Sequence, residues 1–224
     1  MIRTLAQLTL TRLVRGKTLW IAIGAALLPV VFAAIRSGQL EDTSRVAGEV
    51  LSFVMLLVAV LPAMLVAGSV GEDIEDRTAT YLWSRPVARE AVIAGKLLAL
   101  VPIAAVIVAV SWFAGAWVGS GAAPPPESLV GVAAGVVASS LAATGIATLV
   151  PKHGTALTVV YMLLFDIPVG VLPASLRYLS ITHLTDVLAN EHAKDSPAVC
   201  AVALAIVGAI WLAVGILRIR RMEI

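Results

Sequence analysis

Long apolar runs without charged residues divide this chain into segments that are long enough to cross a membrane. About 20 helical residues are needed to cross a hydrocarbon core of about 30 Å. Five runs are uninterrupted, and a sixth is interrupted only by Asp166. The pattern predicts an all-α, polytopic membrane protein with six transmembrane helices. These spans are expected at about 18–35, 50–70, 92–118, 128–150, 155–173 and 197–217.

The segment before the first run mixes apolar and basic positions. Ile2, Leu5, Leu8 and Leu13 are apolar, and four basic residues lie among or just after them. This pattern is typical of an amphipathic helix that lies on the membrane surface. We therefore predict such a helix over 1–17, within a single transmembrane domain that comprises 1–224.

Composition agrees with this picture. Apolar residues make up 60% of the 224 residues and charged residues 13%, with a mean hydropathy of +0.98. Soluble domains carry about 25% charged residues. No polar stretch is long enough for a second domain, which excludes an ATPase domain within these residues. The single cysteine, Cys200, excludes an intramolecular disulfide.

Basic residues fall unequally on the two sides that six spans would create. Twelve of the 16 lie on the side of both termini, and cytoplasmic loops are enriched in Lys and Arg. We therefore predict that both termini lie in the cytoplasm. The protein itself is expected to be a multi-pass protein of a prokaryotic inner or plasma membrane. The twelve are Arg3, Arg12, Arg15, Lys17, Arg77, Arg85, Arg89, Lys96, Lys152, Arg218, Arg220 and Arg221, against Arg36, Arg45, Arg177 and Lys194 on the other side.

The predicted inner loop between spans 2 and 3 is unusually charged, with six charges within 72–85. Its acidic residues precede its basic ones, which suits a helix that begins near Gly71. Pro86 disfavours helix before it and suits the first turn of a new helix. We predict a short cytoplasmic helix, a break, and a helix that continues into span 3. A solvated loop without a specific partner is the plainer interpretation.

The order of residues in this loop resembles the ABC-2 family of ABC transporter permeases. In that family an acidic stretch after span 2 precedes a Gly-Thr, a Pro-Val with a basic residue, and a Gly-Lys. Here Arg77-Thr78 stands in place of Gly-Thr, so the glycine is missing. Pro86-Val87-Ala88-Arg89 and Gly95-Lys96 match the later elements. The resemblance is sharpest over about 25 residues and extends as topology over the whole chain.

The resemblance implies a permease subunit that exports a lipid-like, drug-like or other small substrate. Such permeases form homo- or heterodimers and pair with two cytoplasmic ATPase subunits, on which ATP and Mg bind. No cofactor is expected on this chain, and no nucleic acid partner. The loop would act as a coupling helix that contacts the ATPase. The contact candidates carried over are Glu72, Asp73, Glu75, Asp76, Arg77 and Arg85.

Asp166 is the one carboxylate well inside a predicted span. A charge there costs several kcal/mol unless it is paired or hydrated, so such residues usually have a function. It could line a water-filled path between two permease copies. Alternatively, span 5 is short and Asp166 lies near its outer end. The sequence leaves both possibilities open.

Two further segments indicate a close helix contact and additional short helices. Gly131 and Gly135 form a small-residue face on span 4 that is typical of close helix contact. The segment 173–196 mixes apolar and polar residues, which suggests one or two short helices at the outer interface.

An alternative class of function is a membrane protein that works without an ATPase, either a small secondary transporter or a scaffold subunit. A secondary transporter should carry more polar sites within its spans. An enzyme is not expected. Gly16-Lys17-Thr18 resembles the end of a P-loop, but Thr11 stands where its first glycine is required. No cluster has metal-ligand spacing.

Overall fold

The computed structural model describes residues 2–38, 43–75, 89–173, 175–190, 193 and 195–221. These residues are mostly helical, and no strand occurs among them. The α-helices are Ile2–Arg15, Lys17–Ser37, Thr43–Pro62, Gly68–Glu75, Arg89–Ser120, Pro126–Leu149, Gly154–Tyr161, Ile167–Val171, Ile181–Ala189 and Pro197–Arg221.

Six helical segments are long and apolar enough to cross a membrane. The prediction of an all-α polytopic protein with six spans is therefore confirmed. Two of these segments stay continuous through a π-helical turn, at Ala63–Ala67 and at Met162–Asp166. Spans 1 to 6 are Lys17–Ser37, Arg45–Gly71, Glu90–Ser120, Pro126–Leu149, Pro151–Val171 and Pro197–Arg221.

Spans 2 and 4 form the centre of the bundle. In their most apolar windows 72% and 67% of residues are buried, against 22% in spans 1 and 5. Span 4 is rich in Gly, Ala and Ser, which allow other helices to approach closely. Its buried hydroxyl groups donate to carbonyl oxygens of the same helix, as Ser139, Ser140 and Thr144 do. The core thus contains no costly unpaired hydroxyl at these positions.

The helix Ile2–Arg15, called the N-terminal helix below, packs along the start of span 3. Ala6 and Leu13 are buried, whereas Leu8 and Val14 on other faces are more than half exposed. Gly16 separates this helix from span 1, and a Cβ atom there would lie 3.2 Å from the carbonyl oxygen of Arg12. The N-terminal helix therefore covers one end of the bundle. We call this the terminal end, because the N-terminal helix and the end of span 6 lie there, with Arg220 of span 6 hydrogen-bonded to Glu90 at the start of span 3.

The end of span 2 differs from the prediction of a helix that begins near Gly71. The helix runs on through Gly71 to Glu75 without a break. Extending an existing helix is more favourable than nucleating a new one. Gly71 marks a close contact instead, because a Cβ atom there would lie 2.7 Å from the carbonyl oxygen of Pro151. The predicted break and restart at Pro86 lie outside the described residues.

Candidate functional site

Two regions carry the residues that the sequence singles out. The first is the helix Gly68–Glu75 at the terminal end. Three of the six predicted ATPase contacts, Glu72, Asp73 and Glu75, are residues of this helix. The other three, Asp76, Arg77 and Arg85, lie outside the described residues. Whether any of the six contacts a partner stays a prediction.

Lys96 on span 3 holds this helix from one side. Its side chain is almost fully buried, with 5% of the residue exposed. The ammonium group donates a hydrogen bond to the carbonyl oxygen of Ser69. A buried ammonium is costly unless it is hydrogen-bonded, so this contact fixes the end of span 2 relative to span 3. The sequence signal for it was the Gly95-Lys96 pair, whose contact with span 2 the pattern did not reveal.

Glycines bring span 5 against the same helix from another side. A Cβ atom at Gly68 would lie 3.4 Å from the Thr155 hydroxyl oxygen, and one at Gly154 would lie 3.7 Å from the carbonyl oxygen of Ala67, the residue just before this helix. Together with the Gly71 contact, these close approaches hold the end of span 2 against span 5, while Lys96 holds it against span 3. Densely packed elements move as units. A force on Gly68–Glu75 would therefore be transmitted to the starts of spans 3 and 5.

The second region lies at the opposite end of the bundle and centres on Asp166. Asp166 is 1% exposed, and both carboxylate oxygens accept hydrogen bonds. Oδ1 accepts from the backbone N–H of Ile181 at 2.7 Å. Oδ2 accepts from the backbone N–H and the hydroxyl of Thr182 at 2.9 and 2.6 Å, and from the Ser180 hydroxyl at 3.3 Å. A carboxylate of span 5 thus caps the helix Ile181–Ala189, called the connecting helix below.

This arrangement bears on the two interpretations of Asp166. A carboxylate at a helix N-terminus satisfies orphan N–H groups and is stabilised by the helix dipole. The contacts lie within one chain and use both oxygens, which favours an anchoring role. A role in a path between two copies stays a prediction. Because the partner groups lie 14 to 16 positions away in the sequence, no local pattern pointed to them.

The connecting helix is packed on span 4. Ile181, Leu184 and Thr185 are fully buried. A Cβ atom at Gly131 would lie 2.6 Å from the carbonyl carbon of Leu188, and one at Gly135 would lie 2.2 Å from the Thr185 hydroxyl oxygen. The small-residue face of span 4 therefore receives the connecting helix, which is one of two short helices in this segment, with the 3-10 turn Ser175–Leu179.

A charged cluster ties this segment to the start of span 6. Asp195 accepts from the Arg177 guanidinium at 2.7 Å, and its other oxygen lies 3.2 Å from Nε2 of His183. The guanidinium carbon of Arg177 also lies 5.5 Å from the centre of the Tyr178 ring. Asp195 thus links the 3-10 turn, the connecting helix and span 6. The sequence did not predict this cluster.

Asp186 gives the connecting helix a testable pH dependence. Burial raises the pKa of the Asp186 carboxyl from its ordinary value of 3.8, and the nearby His183 opposes this. Between the ordinary pKa of this carboxyl and its raised pKa in the fold, the folded helix binds more protons than the unfolded one. The stability of the helix therefore falls as the pH rises through this range. We expect hydrogen exchange in 181–189, corrected for intrinsic rates, to slow as pH falls towards 4. Asp186→Asn should remove this component, and an unchanged profile in that variant would contradict the assignment.

Among the residues that the structure describes, no group of three or more His, Cys, Asp or Glu side chains is arranged to hold a metal ion.

The described architecture is that of an all-α, multi-pass membrane protein. Comparison with known families then gives the particular group. The sequence model of a family described as ABC-2 family transporter protein matches residues 10–174, well over half of the chain. The chain belongs to this family of ABC transporter permeases. A search of curated proteins found no match.

Proposed function

We propose that this permease subunit is an exporter component driven by a separate cytoplasmic ATPase. The observation that carries the proposal is the end of span 2, where the helix continues to Glu75 and carries acidic residues. The contacts of Lys96 with Ser69 and of Gly71 with Pro151 hold that helix rigidly against two other spans. A rigid, charged extension is suited to orientation-specific contact with a partner that opens and closes.

The proposed assembly contains a second permease copy, identical or different, and two ATPase subunits that hold ATP and Mg. This chain itself has no catalytic role in the proposal. The ATPase contacts are Glu72, Asp73, Glu75, Asp76, Arg77 and Arg85. The proposed substrate is a lipid-like, drug-like or other small molecule, as the family resemblance implies.

The proposal places the terminal end in the cytoplasm, which the distribution of Lys and Arg supports. Ser37 and Lys152 lie at opposite ends of the bundle, and both are exposed. In a Cys200→Ser background, a membrane-impermeant maleimide should label Ser37→Cys in intact cells. It should label Lys152→Cys only after permeabilisation. The reverse labelling pattern would place the ATPase contact on the wrong side and contradict the proposal.

Co-purification tests the partnership itself. The tagged chain is purified from native membranes in mild detergent, and the eluate is assayed for bound subunits and for ATP hydrolysis. We expect an ATPase subunit to be retained and hydrolysis to accompany it. If none is retained even after crosslinking in intact membranes, the proposed function is contradicted and the ATPase-independent alternative gains.

A further inference from the structure

A cavity of about 430 Å³ lies at the terminal end, between the N-terminal helix, the end of span 2 and the start of span 3. Its volume falls in the range of about 300–1,000 Å³ that is typical of ligand pockets. Leu5, Leu13 and Met64 contribute to an apolar wall. Arg12 and Lys96 contribute two positive charges. The cavity therefore combines an apolar surface with a cationic one.

The charge of the lining determines the chemistry of a fitting ligand. The described residues that line the cavity include these two cations and no carboxylate. Both cations already interact within the chain, Lys96 with the carbonyl oxygen of Ser69. An ammonium carries three N–H donors and a guanidinium five, so each has the capacity for a further acceptor. An oxyanion is the acceptor that such a pair binds most strongly.

The position of the cavity favours a membrane lipid over a soluble anion. The N-terminal helix is amphipathic, and its Leu8 is 64% exposed. Trp20, in the first turns of span 1, is 71% exposed. Exposed Trp side chains concentrate at the level of lipid headgroups. The cavity thus lies at the depth where phosphate groups and the first carbons of acyl chains are found.

We propose that this cavity binds an anionic phospholipid. Its phosphate contacts Arg12 and Lys96, and one acyl chain follows the wall that includes Leu13 and Met64. Inorganic phosphate shares the polar part of this chemistry, but the larger part of the lining is apolar. A bound lipid would join the N-terminal helix to spans 2 and 3, beside the helix Gly68–Glu75. This inference does not depend on an ATPase partner.

Native mass spectrometry of the purified full chain tests the site, with dimyristoyl phosphatidylglycerol compared with dimyristoyl phosphatidylcholine. We expect preferential retention of phosphatidylglycerol. Arg12→Gln should lower that retention about tenfold, because the variant loses a charge-assisted hydrogen bond to the phosphate, and such a bond changes affinity by about a factor of ten. Arg15→Gln is the matched control. Arg15 is exposed on the same helix but does not line the cavity, so its change should alter retention less than about twofold.

A second variant separates the cavity from its charges. Thr9 lines the cavity, and Thr9→Phe fills it while both cations remain. It should lower retention as much as Arg12→Gln does, and it decides the test if the arginine variant does not fold. Equal losses in Arg12→Gln and Arg15→Gln would overturn the site in favour of diffuse surface charge. Two results would overturn the lipid assignment. One is equal retention of phosphatidylcholine and phosphatidylglycerol. The other is a thermal stabilisation by inorganic phosphate as large as that by phosphatidylglycerol.

Discussion

Replacement of Asp166 by Ala is expected to release the connecting helix from span 5. The change removes the acceptor of four hydrogen bonds and leaves the N–H groups of Ile181 and Thr182 without that partner. An unsatisfied buried donor costs about 1–3 kcal/mol. We expect the opening free energy of the helix to fall by about 3 kcal/mol, which is roughly a hundredfold faster hydrogen exchange in 181–189.

Asp166→Asn provides the matched comparison, because its amide keeps the shape of the side chain and one acceptor oxygen. We expect exchange between that of the wild type and that of the Ala variant. Unchanged exchange in Asp166→Ala would contradict the anchoring role. If transport were lost at the same time, the path between two permease copies would become the better explanation.

Gly131→Leu is expected to separate the connecting helix from span 4. A Cβ atom at this position would lie 2.6 to 2.9 Å from backbone atoms of Leu188 and Ala189. Backbone atoms cannot rotate away as a side chain does, so the two helices must move apart. Overpacking typically costs about 1–3 kcal/mol. We expect the melting temperature of the purified chain to fall by about 5 °C or more.

Gly24→Leu is the control for this substitution. A Cβ atom at Gly24 would meet nothing within 4 Å, and Gly24 likewise lies inside a span. Leu favours helix over Gly by somewhat less than about 1 kcal/mol, so the control should melt at the same temperature or slightly higher. Equal losses in both variants would show that the added side chain, rather than the contact with the connecting helix, is responsible.

The spans were predictable because membrane insertion depends on the local density of apolar residues. Each predicted span overlaps one observed span, although span 2 begins at Arg45 rather than near residue 50. Charged residues at a span end can remain helical while their side chains reach the interface or a partner. Here Arg36 donates to Glu49 at 2.8 and 3.0 Å, so the carboxylate is paired between the end of span 1 and the start of span 2.

The sites were less predictable because they depend on contacts between distant residues. Asp166 stands out in the sequence as a charge within a span. Its partners Ser180, Ile181 and Thr182 are brought to it only because the connecting segment folds back on span 5. The sequence predicts a helix start near Gly71, whereas in the fold this glycine permits close contact with the backbone of Pro151. A glycine supports both roles, and only the packing distinguishes them.

The most direct test of the central claim compares ATPase retention by three forms of the tagged chain. One form carries Glu72→Ala, Glu75→Ala and Asp76→Ala. The control carries Glu41→Ala, Asp42→Ala and Glu127→Ala, which remove the same number of carboxylates from the other end of the predicted topology. We predict that the wild type and the control retain an ATPase subunit, and that the first variant loses at least about nine-tenths of it. Equal retention by all three forms would contradict the claim that the acidic end of span 2 binds the ATPase.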